Sequence, residues 1–232
     1  MSTTAAKRTW RPIWTINTLL GVVGLFLASC IMAPQLLAFP YVERIGASTL
    51  YAERPIDRQA AARVLARADA RLRTSPLYTA PVGTRVFLTS GGWRWRVLSV
   101  GSGTSFGLTR PVSDLVSDAV ILNHGSLAHD RFWNGKRIGT RRTLSGVIAH
   151  ERTHVMVRRH LGLVDDIGLP RWISEGYADH VAGESTLRAE DVARLRAQGR
   201  SHMAIFYYES RQRVEAALKA NGRDVDALLH MR

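Results

Sequence analysis

Residues 146–162 are GVIAHERTHVMVRRHLG, and the reading of this stretch decides the fold around it. His150 and His154 are four residues apart. In an α-helix that spacing sends both imidazoles off one face, one turn apart. There they can share one tetrahedral cation. Glu151 directly follows His150, which places its carboxylate to reach a water on such an ion rather than the ion itself. A divalent metal needs a third protein ligand. The chain offers two sources: His160 in the same stretch, or an acid further on.

The segment HERTHVMVRRH, 150–160, resembles the metzincin pattern H-E-x-x-H-x-x-G-x-x-H. There a glycine lets the chain turn back so that the last histidine meets the metal. Here that position is Val157, and a β-branched residue offers no easy left-handed turn. The helix is expected to continue, which puts His160 well around the cylinder from His154. Arg158, Arg159 and His160 then occupy the last turn, where positive charge suits the helix dipole.

The other source is LPRWISEGYADHVAG, 169–183. A helix starting after Pro170 carries Glu175 and Asp179 on one face, again at i and i+4. Glu175 is the candidate third ligand. Asp179 is the candidate acceptor for the outward N–H of a ligating histidine, which fixes that ring's tautomer. Gly176 and Ala178 are small, which lets this helix approach the first closely. The stretch 161–170 is long enough to reverse the chain between them. Alone, Glu175 and Asp179 would read as exposed helix acids; beside the first motif the metal reading is preferred.

HERTH followed by PRWISEGYADH resembles the gluzincins, metallopeptidases that pair H-E-x-x-H with an E-G-x-A helix. The resemblance covers 143–183 firmly. It extends loosely to 220, where YYESRQRVEAALKANG, 207–222, is similar to the tyrosine-led helix that often follows in small members. It implies a zincin-like α+β fold, with a sheet over the active-site helix and a helical lower half. It further implies Zn2+ held by His150, His154 and Glu175, with Glu151 as general base and Asp179 behind a ligand. The implied activity is hydrolysis of peptide bonds in a peptide or protein substrate. The donor to the developing oxyanion is not fixed by motif. Tyr207 is the candidate, with Tyr208 and His202 as rivals and a core aromatic as the plainer reading of Tyr207. The N-terminal half matches no family pattern. An alternative of another class is a zinc-bearing envelope scaffold or binding module that cleaves nothing.

Upstream, no charged residue lies between Arg11 and Glu43. Ile13 to Ala33 is long enough to span a bilayer core, and Pro34 is a natural end to that helix. Trp10 and Trp14 flank one side, Phe39 and Tyr41 the other, as interfacial aromatics do. Lys7, Arg8 and Arg11 precede the segment and only Arg44 is as close beyond it. The positive-inside bias therefore puts the N-terminus in the cytoplasm and the rest outside it. The expected layout is a cytoplasmic tail at 1–12, a transmembrane anchor at 13–38, a linker and spacer helix at 39–80, and the zincin-like domain at 81–232. Two rivals stand beside the anchor. LASC, 27–30, resembles a bacterial lipoprotein signal that would lipidate Cys30, although the chain stays apolar to Phe39. A cleaved secretory signal is the other, although no A-x-A site is clear. Cys30 is the only cysteine, which excludes an intramolecular disulfide and any cysteine-based zinc site.

In the remainder, 57–73 has helical composition. Asp57 can cap its start, and Ala61, Val64, Leu65, Ala68 and Leu72 form one apolar face, so the helix is expected to pack on the domain or to space it from the membrane. Between 83 and 125, TRVFLTS, WRWRVLSV, TSFGLTRPV and DAVILNH predict a small, mostly antiparallel sheet of three to five strands. Alternation in WRWR puts one pair inside and one in solvent. The glycine-rich break at 101–103 and a turn at Asn134-Gly135 punctuate the region. Helices are expected near 143–161, 171–182, 188–198 and 203–220, each followed by a glycine, at 162, 183, 199 and 222.

Hydrophobic content of 46% suits a globular chain of 232 residues. The formal net charge is +13, but the arginines are scattered and no nucleic-acid module is recognisable, so no nucleic-acid partner is expected. Oligomeric state has no signal in the sequence.

Overall fold

The computed structural model describes residues 11–100, 107–110, 118–132 and 142–231. The expected features at 101–103 and Asn134-Gly135 lie outside these, as do Lys7 and Arg8.

The four expected C-terminal helices are α4 (Leu144–Leu161), α6 (Arg171–Ala182), α7 (Ala189–Ala197) and α8 (Met203–Ala220), numbered along the chain. Their trailing glycines all have positive φ: 82° at Gly162, 68° at Gly183, 63° at Gly199 and 74° at Gly222. Other residues rarely adopt that conformation, which is why the helices stop there. Two short helices were not anticipated, α5 (Leu163–Gly168) in the connection between α4 and α6, and α9 (Val225–Leu229). Helix α2 (Arg58–Leu72) starts on Asp57, whose carboxylate accepts from the N–H of Gln59 and Ala60. Its predicted apolar face is buried throughout.

The sheet contains β1 (Tyr41–Ile45), β2 (Ser48–Ala52), β3 (Arg85–Thr89), β4 (Gly107–Arg110) and β5 (Ala119–Asn123), in the order β1-β2-β3-β5-β4. Its outer pairs, β1–β2 and β5–β4, are antiparallel, but β2–β3 and β3–β5 are parallel. The sheet is therefore mixed, not mostly antiparallel. Parallel neighbours need a crossover. Helix α2 lies in the first connection, and α3 (Trp93–Leu98) in the second. The WRWRVLSV stretch thus supplies a helix where a strand was expected. In a helix, residues two apart diverge by about 200°, so Trp95 is buried while Trp93 is exposed. The buried side is carried by Trp95 and Leu98, three apart. A two-residue hairpin, β6 (Gly125–Ser126) with β7 (Arg131–Phe132), precedes α4.

Residues 39–80 are not a spacer. β2 pairs with the central strand β3, and α2 packs into the same core as α4 and α6. The hairpin signal was there, Ser48–Ala52 alternating behind Gly46 at φ 57°.

Strand alternation divides the core in two. Leu50, Ala52, Val86, Leu88, Val120 and Leu122 face the main core under α2, α4 and α6. Phe87, Ala119 and Ile121 face a second core with Cys30, Leu37, Phe39, Trp95 and Leu98. All five residues of β3 are buried, as expected for a strand covered on both faces.

At the N-terminus, α1 (Arg11–Met32) contains an 18-residue window, Thr15–Met32, of mean hydropathy 2.0. The helix is long and apolar enough to cross a membrane, and that window is only 6% buried, so it is not a core helix. A short 3-10 turn, Pro34–Leu37, follows it.

Candidate metal centre

The start of α4 is held from three sides. Thr143 caps it, its hydroxyl accepting from the Gly146 N–H at 2.9 Å. Asp130 accepts from the N–H and hydroxyl of Ser145 at 2.7 and 2.8 Å. Glu184, just past α6, accepts from the Thr143 N–H at 3.0 Å. These carboxylates sit where the helix dipole favours negative charge. Gly146 leaves room for this carboxylate: a Cβ there would lie 1.5 Å from it, and Glu184 would have to swing away. Arg71 of α2 pairs with Glu184 and donates to the Ala182 carbonyl. The beginning of α4 is thereby fastened to the end of α6.

With the helices so fixed, three ligand atoms converge. His150 Nε2 lies 3.3 Å from His154 Nε2 and 3.2 Å from Glu175 Oε2, and His154 Nε2 lies 3.7 Å from the same oxygen. Ligands about 2.0–2.1 Å from a tetrahedral zinc are separated by roughly 3.3 Å. The triangle has that size. Among the described residues, His150, His154 and Glu175 form a group that could hold a metal ion.

The far sides of the rings set the tautomers. His150 Nδ1 is 2.7 Å from Asp179 Oδ1. An ionised carboxylate only accepts, so the proton sits on Nδ1 and Nε2 presents a lone pair. His154 Nδ1 is 3.2 Å from the Ser174 hydroxyl, which can accept from it or donate to it, so the contact is compatible with the tautomer that leaves Nε2 free. With Nε2 of both rings deprotonated, two nitrogens and a carboxylate oxygen face one another, and a divalent cation would satisfy all three. In the metal-free chain a proton on His150 takes that place. Burial disfavours a charged His150, yet its bonds to Asp179 and Glu175 outweigh this and raise its pKa. Burial alone would raise Glu175, but the two imidazoles hold it well below the usual carboxylate range.

Asp179 is fully buried. Arg142, itself buried, donates through one terminal nitrogen to both its oxygens, at 2.5 and 2.7 Å, and the Ser185 hydroxyl donates at 2.9 Å. Burial pushes Asp179 up, and Arg142 with His150 outweighs it, so the carboxyl stays ionised. Thr186 accepts from Arg142 Nε at 2.9 Å and fixes the guanidinium.

Glu151 lies under the edge strand. The Thr109 hydroxyl of β4 is 2.7 Å from Glu151 Oε2. Gly107 makes room, since a Cβ there would be 3.0 Å from Oε1 and 2.9 Å from Leu122. Tyr207, in the first turns of α8, has its ring 6.4 Å from that of His150. Burial, then the neighbouring Glu175, pushes its hydroxyl up to about 12, while a hydrogen bond from Arg171 opposes this. The rivals point elsewhere. Tyr208 packs against Leu187, Val192 and Leu195, and His202 caps α8.

His160 stays on the outer end of α4, 2.8 Å from Asp226 of the α9 segment. Gly176 corrects one expectation. A Cβ there would lie 2.4 Å from the Ser210 carbonyl oxygen, so this glycine admits α8, not α4. Arg142, Thr109, Glu184 and Arg171 were not anticipated. Arg142, Thr109 and Glu184 lie outside α4 and α6, and no local spacing connects them to the histidines; Arg171 stands one turn before Glu175 on α6 itself.

No family model, curated protein or solved structure matches the chain.

Proposed function

We propose that the chain is a zinc-dependent peptidase of the gluzincin type, carried on a membrane-spanning helix with its domain outside the cytoplasm. The observation that carries the reading is the triangle of ligand atoms of His150, His154 and Glu175, with Asp179 behind His150. Two imidazoles and one carboxylate are a donor set suited to zinc.

A divalent ion held there supplies Lewis acidity, polarising a carbonyl and making water acidic near neutral pH. The chain's own groups do the rest. Glu151 takes a proton from the attacking water and returns it to the leaving amine. Thr109 holds one oxygen of that carboxylate and leaves the other to act. The Tyr207 hydroxyl, kept protonated, donates to the developing oxyanion. β4, one of the two outer strands of the sheet among the described residues, presents backbone groups beside Glu151 to an extended peptide.

The test is Glu151→Gln in the full chain. Metal content should match wild type, and turnover of a peptide library should vanish. Turnover retained by this variant would remove the mechanism. A wild-type chain that holds stoichiometric zinc and cleaves nothing would point instead to a zinc-bearing scaffold.

A further inference from the structure

We infer that α1 is neither cleaved nor lipidated at Cys30, and that its last turn is a structural part of the domain that carries the metal site. The inference rests on the membrane reading of α1 and adds how that helix ends.

The change along α1 is abrupt. Every residue from Thr15 to Ala28 is exposed. Ser29 is half-buried and Cys30 has no exposed surface. Cys30 packs in the second core with Leu37, Phe39, Phe87, Trp95, Leu98, Ala119 and Ile121. The helical course persists through this point, with the Ala33 N–H donating to the Ser29 carbonyl at 2.7 Å. The chain that follows is strapped down. Arg85 of β3 donates to the Gln35 side chain at 2.7 Å, and Arg94 of α3 donates to the carbonyls of Leu37 and Ala38 at 2.8 and 3.0 Å. The Arg94 guanidinium also lies over the Phe39 ring, 5.3 Å from its centroid.

Two consequences follow. Lipoprotein processing would cut before Cys30 and place a diacylglyceryl group on its sulfur, but that sulfur lies inside a packed core without room for acyl chains. Signal cleavage beyond Cys30 would remove it and uncover Phe87, Trp95 and Ile121. The segment 11–28, ahead of the embedded turn, is about 27 Å long at 1.5 Å per residue. That is close to the roughly 30 Å of a bilayer's hydrocarbon core. The membrane therefore ends where the domain begins, with no flexible tether between them.

The full chain is expressed, its membranes are washed with alkaline carbonate, and the detergent-purified protein is weighed intact. The expected result is membrane retention and the mass of the uncleaved, unmodified chain. N-ethylmaleimide, which enters micelles, should modify Cys30 only after unfolding in guanidinium. Leu36→Cys, at an exposed position just beyond α1 and introduced with Cys30→Ala, should react in the folded protein. A chain starting at an acylated Cys30 would overturn the inference and leave membrane attachment standing. So would rapid modification of Cys30 in the folded protein, which would show a loose tether. A shortened soluble chain, or full-length chain released by carbonate, would overturn the membrane reading itself.

Discussion

His150 Nδ1 and Asp179 Oδ1 are 2.7 Å apart, across the contact between α4 and α6. This bond joins the two motifs through residues that are 29 positions apart in the chain. It also determines which nitrogen of His150 faces Glu175. Asp179→Asn keeps the size but can present an N–H instead of an acceptor. Metal affinity should fall about 10- to 100-fold, measured by competition with a zinc chelator. Unchanged affinity would show that the bond does not orient the ligand.

Arg142 and Asp179 form a buried ion pair with 6% and 0% of their side chains exposed. Arg142→Met removes one partner and leaves a carboxylate charge in the core. A loss of about 3–5 kcal/mol is expected in denaturant unfolding. A loss below about 1 kcal/mol would mean that water or another donor replaces the guanidinium.

Without a metal, a proton supplies the positive charge of the pocket. His150, raised above its ordinary 6.5, contributes stability that is complete below that value and is lost as pH climbs through the higher folded-state value. Glu175, held below its ordinary 4.5, contributes stability that is present above that value and is lost as pH falls through the lower one. From these two groups, the metal-free chain should be most stable between about pH 4.5 and 6.5. Its Tm should fall from pH 6.5 toward 9, and saturating zinc should flatten that decline, since the ion takes the proton's place. Calorimetry with and without zinc checks both. A metal-free Tm that is level over this range would contradict the assignment.

Gly176→Ala places a methyl group 2.4 Å from the Ser210 carbonyl oxygen and 2.8 Å from a Val214 methyl. The clash is with backbone, so α6 and α8 must separate. A cost of about 1–3 kcal/mol is expected, with weaker zinc binding because Glu175 precedes the glycine. An unfolding curve and zinc affinity like wild type would refute this close approach.

His160→Ala is the contrasting case. The exposed pair with Asp226 should contribute at most about 1 kcal/mol. Zinc content should be unchanged, and loss of zinc here would reopen the reading of 150–160 as a self-contained site.

Much was legible in the sequence because its cause is local. Helical spacing puts His150 with His154 and Glu175 with Asp179, whatever surrounds them. Asp57 at a helix start and the glycines at helix ends follow from backbone preferences alone. The apolar run of α1 is composition. What the tertiary structure decided has a different physical origin. A strand's neighbour and direction depend on crossovers, so the parallel centre of the sheet and the place of β1 and β2 in it could not be read from alternation. WRWR suits either period, and only packing over Phe87 and Ile121 made it a helix. The partners Arg142, Thr109 and Glu184 reach the site through space, and no spacing rule relates residues that meet only after the chain has folded. The spacing within each motif belongs to the sequence; the gap between the motifs, hence the size of the cation they can grip, belongs to the packing of α4 on α6.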